Sequence, residues 1–221
     1  AGPVNENRCR MSNVETIIDG GNIQSRTGLT TLVVNDFLAL SYTLPLLDVG
    51  DPRYITVLAH PDGSTPHPDG RARVVIGAGT GLGVGFQIEH QGRIFAFPSE
   101  GGHCDFSSFD AETLQLKQFI MQQRGDCPGT ELFISGQGIN NIFNYLHSIE
   151  DAAEDPVLRE LERIPASERP AAIAQKSGRH NLCRRTMELF VAMYGKFAGN
   201  IALTFLPGAG LFLAGGIVTK N

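Results

Sequence analysis

No two cysteines in this chain are spaced as CxxC; Cys9, Cys104, Cys127 and Cys183 lie far apart. That spacing argues against a zinc ribbon and against a thioredoxin-type redox pair, and free thiols in a reducing cytoplasm are expected instead. Dense runs of Lys and Arg are missing too. With a net charge of -5 over 221 residues, the chain has no basic field to draw phosphate backbones or anionic lipid, so neither nucleic acid nor a membrane is an expected partner. Apolar runs of membrane-spanning length are also absent, because the stretch 201–218 is broken by Pro207, Gly208, Gly210 and Gly215. Residues 1–10 are polar from the outset, unlike a signal peptide. They contain no initiator Met, and a processed product, an excised domain or a partial sequence is therefore expected.

What is present is ample apolar material, 42% of residues, enough to bury a sizeable core. Residues 29–34 form a β-rich run ending in Asn35-Asp36, and 37–47 show helical apolar spacing up to the turn signals Gly50-Asp51-Pro52. This puts an acid at the carboxyl end of a strand, where ligand sites collect in open α/β folds. His-Pro-Asp-Gly occurs twice, at 60–63 and 67–70. Metal binding is the weaker reading there, since Pro and Gly around Asp are ordinary turn chemistry, and an exposed loop is predicted.

Residues 73–76 predict a buried strand, after which glycine takes every second position from Gly77 to Gly85. Alternation resumes through Gln91-Gly92 into 94–97, which predicts strand, turn and strand. A dinucleotide fingerprint would need a helix here, and GxGxxG counted from Gly77 fails at Leu82. Downstream, 112–123 predict a helix, Gly136 to Gly138 punctuate the approach to a helix over 140–147, and 151–164 predict an acidic, solvated helical region. Ser167 ahead of Pro170 marks another helix start. Leu182, Leu189, Phe190, Met193, Phe197 and Ile201 define a long amphipathic helix that ends before Pro207-Gly208. A buried strand over 211–214 then runs into Gly215-Gly216. Such a strand usually opens into a helix whose free amides bind phosphate; none follows here, and a C-terminus cut within the fold is expected.

The glycines at 77–85 strip a turn of side chains so that backbone amides and Thr80 can approach an anion, with a tight hairpin in a crowded sheet as the competing reading, above all for Gly83 and Gly85. Asp36 can accept a hydroxyl proton during phosphoryl transfer, or cap the helix that follows it. Asn35, Glu100, His103 and Glu131 are the amide, carboxylate and imidazole types that discriminate among sugar hydroxyls. Gly101-Gly102 let the backbone turn so that Glu100 and His103 can face one ligand. A structural histidine beside Cys104 and Asp105, and a surface acid at Glu131, are the duller alternatives.

Five segments, AGPV at 1–4, NDF at 35–37, GAGTGLG at 77–83, SEGGHCDF at 99–106 and LAGGI at 213–217, stand in an order that resembles the bacterial glucokinase family. ELFISGQG at 131–138 and CRR with GKFAGNIAL within 183–203 extend the resemblance over nearly the whole chain. It implies an α/β protein with the actin-like ATPase (ribonuclease H-like) fold, in which a small and a large domain close over sugar and ATP. Residues 1–46 would be the end of the small domain, and 47–221 a large domain incomplete at its C-terminus. The implied activity is ATP-dependent phosphorylation of glucose at the 6-hydroxyl, with Asp36 as general base.

The same resemblance puts Asn35, Asp36, Glu100, His103 and Glu131 on the sugar, Gly79, Thr80 and Gly81 at the ATP phosphates, and Gly215 and Gly216 beside the adenosine. Mg2+ would accompany ATP. No structural zinc is expected, because the CxCGxxGC segment of the repressor and open-reading-frame sugar kinases is absent. Two departures from the family pattern stand out: its N-terminal Asp-x-Gly-Gly-Thr-Asn hairpin has no counterpart here, and neither does its closing C-terminal segment. The first keeps a non-catalytic sugar sensor or regulatory subunit as an alternative, and a kinase for another hexose is a third. Glucose and ATP are the expected partners, a homodimer is allowed, and the expected location is cytoplasmic.

Overall fold

The computed structural model describes residues 2–11, 15–150 and 155–219. In chain order the elements are β1 (Val4–Asn5), β2 (Arg8–Arg10), β3 (Ile17–Asp19), α1 (Gly20–Thr27), α2 (Asp36–Thr43), β4 (Ala72–Ala78), β5 (Leu82–His90), β6 (Arg93–Ser99), α3 (Ala111–Arg124), α4 (Gly136–Ile149), α5 (Pro156–Arg163), α6 (Arg169–Lys176), α7 (Asn181–Phe205) and β7 (Leu211–Ala214). Short 3-10 turns lie at Leu44–Leu46, Gly101–His103 and Thr130–Leu132. The strands form an antiparallel sheet β1-β2-β3 and a four-stranded sheet in the order β6-β5-β4-β7. Among the described residues β7 pairs with β4 alone, and its four residues are half-buried where the sequence predicted a buried strand. Among the described residues no helix is long and apolar enough to cross a membrane.

The chain forms two compact units: one of Ala1–Val75, Val84–Glu100 and Phe205–Phe212, the other of Ile76–Gly83, Gly101–Thr204 and Leu213–Asn221. In the first, β1 and β2 are joined by the two-residue turn Glu6-Asn7, both at positive φ, as tight hairpins require. The Asn7 side chain donates to the Thr31 carbonyl at 3.0 Å and accepts from the Val33 amide at 2.7 Å, while Gln24 Oε1 accepts from the Thr31 amide at 3.3 Å. The strand expected at 29–34 does not form. Side chains from elsewhere in the unit satisfy backbone groups that a neighbouring strand would otherwise have taken.

α2 stops at Thr43 and tightens into the 3-10 turn at Leu44–Leu46, short of the predicted end at 47, because Pro45 has no N–H to continue the ladder. The two His-Pro-Asp-Gly segments lie in an exposed irregular loop, as predicted. β5 and β6 pair antiparallel around Gln91 and Gly92, at φ 50° and 71°, the backbone form that matches strand twist. Phe86 packs against Phe97 and Phe205, with ring centroids 5.2 and 4.6 Å away.

The second unit holds a dense aromatic and aliphatic core. Phe106 and Phe133 stack with centroids 3.8 Å apart, and Leu116, Ile120, Ile142, Phe143, Leu146 and Phe190 are almost wholly buried around them. Each such side chain stabilises the fold by about 1.5–3 kcal/mol. α3 begins in a reciprocal cap between Asp110 and Thr113 and ends at left-handed Gly125. α4 starts at Gly136, capped by Ser135 Oγ on the Gly138 amide at 3.1 Å. Gly136 to Gly138 are thus its first turn, and the predicted start at Asn140 is corrected.

Within 151–164, residues 151–154 lie outside the described residues. The remainder forms α5, in which Leu158 and Leu161 are buried, so this helix is amphipathic and not merely solvated. α6 begins at Arg169 with Pro170 in its first turn, and Glu168, not Ser167, occupies the capping position without a side-chain bond. α7 runs 25 residues with the six predicted apolar positions all buried. Arg185 ties it to the rest of the unit, donating to Glu150 at 2.5 Å and to Glu112 at 3.0 Å.

Candidate functional site

In the second unit, four of the signature segments meet. β4 ends in the turn Gly79-Thr80-Gly81, closed by the Gly79 amide on the Gly81 carbonyl at 2.8 Å. The Gly79 carbonyl accepts from the Gly136 amide at 2.8 Å, which ties the turn to the start of α4. The Leu82 amide donates to Glu131 Oε2 at 2.9 Å. Gly102 lies so close to the Leu82 carbonyl that a methyl there would overlap it. Gly215, at φ 98°, presses in the same way against the Ala78 carbonyl, a conformation and an approach that a side chain would forbid.

Thr80 is exposed, and the space that a Cβ would enter at Gly79 and at Gly216 is open. A surface turn made of glycines and a threonine offers amides and a hydroxyl to an anion, with no bulk in the way.

His103 and Glu131 sit on separate 3-10 turns that share one anchor. Gly102 packs on Leu82, and Glu131 bonds the Leu82 amide, so both turns are fixed to the same residue. The two turns also hold each other, since Thr130 donates to the Cys104 carbonyl through its amide at 2.8 Å and through Oγ1 at 2.9 Å. His103 is exposed and Glu131 half-buried. An imidazole and a carboxylate are thereby brought onto a common frame with the glycine turn.

In the first unit, Asn35 caps α2. Its Oδ1 accepts from the Phe37 and Leu38 amides at 2.9 and 3.1 Å, and the residue is 9% exposed. That bonding leaves the side-chain NH2 as the group Asn35 can offer a ligand. Asp36 is the first residue inside the helix and is exposed, with its Oδ1 also 3.0 Å from the Phe37 amide. The helix is seated by Gly85 of β5, where a Cβ would overlap Ser41 Oγ and stand 2.7 Å from the Phe37 carbonyl. Glu100, exposed, follows the end of β6. Asn35, Asp36 and Glu100 therefore belong to one unit, and Gly79, Thr80, Gly81, His103, Glu131, Gly215 and Gly216 to the other.

Sequence reasoning missed the Leu82 amide, the approach of Gly102 and the seat that Gly85 makes for α2. The glycine alternation was the only visible signal, and it does not say which neighbour each glycine admits.

The glucokinase family model matches residues 1–221. A curated glucokinase of Nostoc punctiforme is 34% identical over 233 residues, covering 100% of this chain and 66% of the relative. The chain thus spans just under two thirds of that relative's length. Among solved structures, the glucokinase of an Antarctic psychrotroph superposes with a TM-score of 0.71 at 22% identity, over 100% of this chain and 63% of that one. A ROK-family glucokinase from Streptomyces griseus, solved with glucose and AMPPNP, gives 0.55 at 16% identity, over 90% of this chain and 56% of that one. Likeness at these identities speaks for the fold, which is the actin-like ATPase fold that the motifs implied.

Proposed function

The chain belongs to the glucokinase family, and from that membership we propose that it transfers the γ-phosphoryl group of ATP to the 6-hydroxyl of glucose. The observation that carries the reading is the family match over residues 1–221, within which the segments NDF, GAGTGLG, SEGGHCDF and LAGGI all stand. Asp36 is the general base. As the 6-oxygen attacks the γ-phosphorus, a new O–P bond forms and the bond to the β,γ-bridging oxygen breaks. ADP leaves, and the hydroxyl proton passes to the Asp36 carboxylate. Exposure of Asp36 at the first turn of α2 suits a group that must meet a substrate.

Asn35, Glu100, His103 and Glu131 hold the sugar hydroxyls, each accepting or donating as its type allows. The amides of the Gly79-Thr80-Gly81 turn, with the Thr80 hydroxyl, receive the ATP phosphates. Gly215 and Gly216 lie beside the adenosine, the latter with open space around it. Mg2+ would accompany the ATP phosphates held at the Gly79-Thr80-Gly81 turn and would supply neutralisation of their charge. The four unpaired thiols suit a reducing cytoplasm.

Calorimetric titration with glucose, with galactose as control, tests the reading together with a coupled assay of ADP formation. Saturable glucose binding that Glu100→Gln abolishes, and ADP production that depends on glucose, are expected. A folded protein that binds no glucose with or without ATP would sink it.

A further inference from the structure

On the reading above, Glu131 serves the sugar and the Gly79-Thr80-Gly81 turn serves the nucleotide, as two separate tasks. The structure ties them to one carboxylate. Glu131 Oε2 accepts the Leu82 amide at the end of the turn, and the Gly136 amide holds the Gly79 carbonyl at its beginning. Both attachments come from the short stretch 131–136. That stretch is braced by Ser135 Oγ donating to the Glu131 carbonyl at 2.6 Å and by the Phe133 amide donating to the Thr130 carbonyl at 2.9 Å. A backbone amide bonded to a carboxylate is a charge-assisted contact, roughly twice as strong as its neutral counterpart.

The glycine at 81 supports this independently. Gly81 is not among the glycines at positive φ, so its backbone conformation does not demand glycine. The bare position instead leaves room for the Glu131 carboxylate: a Cβ at 81 would stand 2.6 Å from Oε2 and 3.3 Å from the carboxyl carbon, so alanine there would push the carboxylate aside.

We propose that Glu131 is a positioning residue for the nucleotide-phosphate turn as well as a sugar ligand, a refinement that rests on the proposed function. Oε2 fixes the Gly81-Leu82 peptide so that the turn holds its shape for phosphate oxygens. Oε1 is the acceptor for a sugar hydroxyl. A sugar that immobilises the carboxylate also stiffens the turn, so glucose and nucleotide tighten each other's binding, by the same factor in both directions.

The test is calorimetry on the protein from its full reading frame, using glucose and a non-hydrolysable ATP analogue with Mg2+, each alone and in the presence of the other. Glu131→Ala is expected to weaken binding of the analogue to the sugar-free protein about tenfold and to remove the mutual enhancement. Glu131→Gln keeps an acceptor oxygen and is expected to hold the analogue within about threefold of wild type, a rescue that mere loss of structure would not give. Gly81→Ala, which displaces the carboxylate from the other side, is expected to weaken the analogue too, and to add nothing further in the Glu131→Ala background. If Glu131→Ala loses glucose yet binds the analogue as wild type does, Glu131 is a sugar ligand alone; the positioning role is overturned while the proposed function stands. Should Glu131→Ala fail to fold, unchanged analogue affinity in Gly81→Ala overturns the role instead. Wild-type protein that binds no glucose under either condition overturns the function and this refinement together.

Discussion

Gly85 of β5 lies so close to Ser41 of α2 that a methyl group on the former would overlap the hydroxyl of the latter. Ser41 is fully buried and spends its hydroxyl on the Phe37 carbonyl at 2.8 Å, so neither partner has room to yield. Gly85→Ala should lift the helix that begins with Asp36, destabilising the protein by about 1–3 kcal/mol. A lowered melting temperature with a reduced kcat is the expected result. Thermal unfolding and the ADP assay read the two effects on one preparation.

Asp36→Asn keeps the size of the side chain and the possibility of a bond to the Phe37 amide, but removes the carboxylate proposed as the base. Turnover should fall by roughly two orders of magnitude or more, with glucose affinity largely kept. Steady-state kinetics beside a glucose titration check this, and near-normal turnover would remove Asp36 from its role.

The bond from His180 Nε2 to the Asp155 carboxylate, 2.7 Å long, holds the Asp155 carboxyl below its usual range, with the Val157 amide helping. A depressed carboxyl contributes stability above the unfolded-state value of about 3.9 and loses it as the pH falls through the folded-state value. Asp155→Asn can still cap α5 but carries no charge. Its melting temperature should therefore lie below wild type at pH 6, and the gap should narrow as the pH falls below the unfolded-state value and through the lower folded-state one. The carboxylate is 33% exposed, so the gap is expected to be small, on the order of 0.5 kcal/mol.

Cys183 is fully buried, and burial pushes its thiol up to about 11, whereas Cys104 and Cys127 are exposed. Iodoacetamide at neutral pH should label Cys104 and Cys127 in the native protein, while Cys183 reacts only after denaturation. Peptide mass spectrometry distinguishes these outcomes, and early labelling of Cys183 would contradict the packing around α7.

The parts of the fold that sequence made legible are those whose cause is local. The buried strand at 73–76, the hairpin at Gln91-Gly92 and the six apolar positions of α7 each follow from periodicity or turn chemistry within a few residues. The failures have distant causes. Residues 29–34 carry strand-forming side chains, yet Asn7, more than twenty positions away, satisfies the Thr31 carbonyl and the Val33 amide. Gly136 to Gly138 are the exception, since the cause is next door: the cap from Ser135 turns an apparent breaker into the first turn of α4.

The site divides in the same way. Asp36, His103 and Glu131 were legible as residue types within a motif, but the bond from Glu131 to Leu82 spans 49 positions and leaves no trace in either local pattern.

The turn that carries Asn7 reaches further than its two residues. Because the Val33 amide is held by that side chain and not by a strand beside it, its exchange into deuterium oxide should keep time with the β1–β2 hairpin. Each opening of the hairpin releases an amide two positions before Asn35. A stretch with no ladder of its own thus carries another element's clock to the threshold of the helix that bears Asp36.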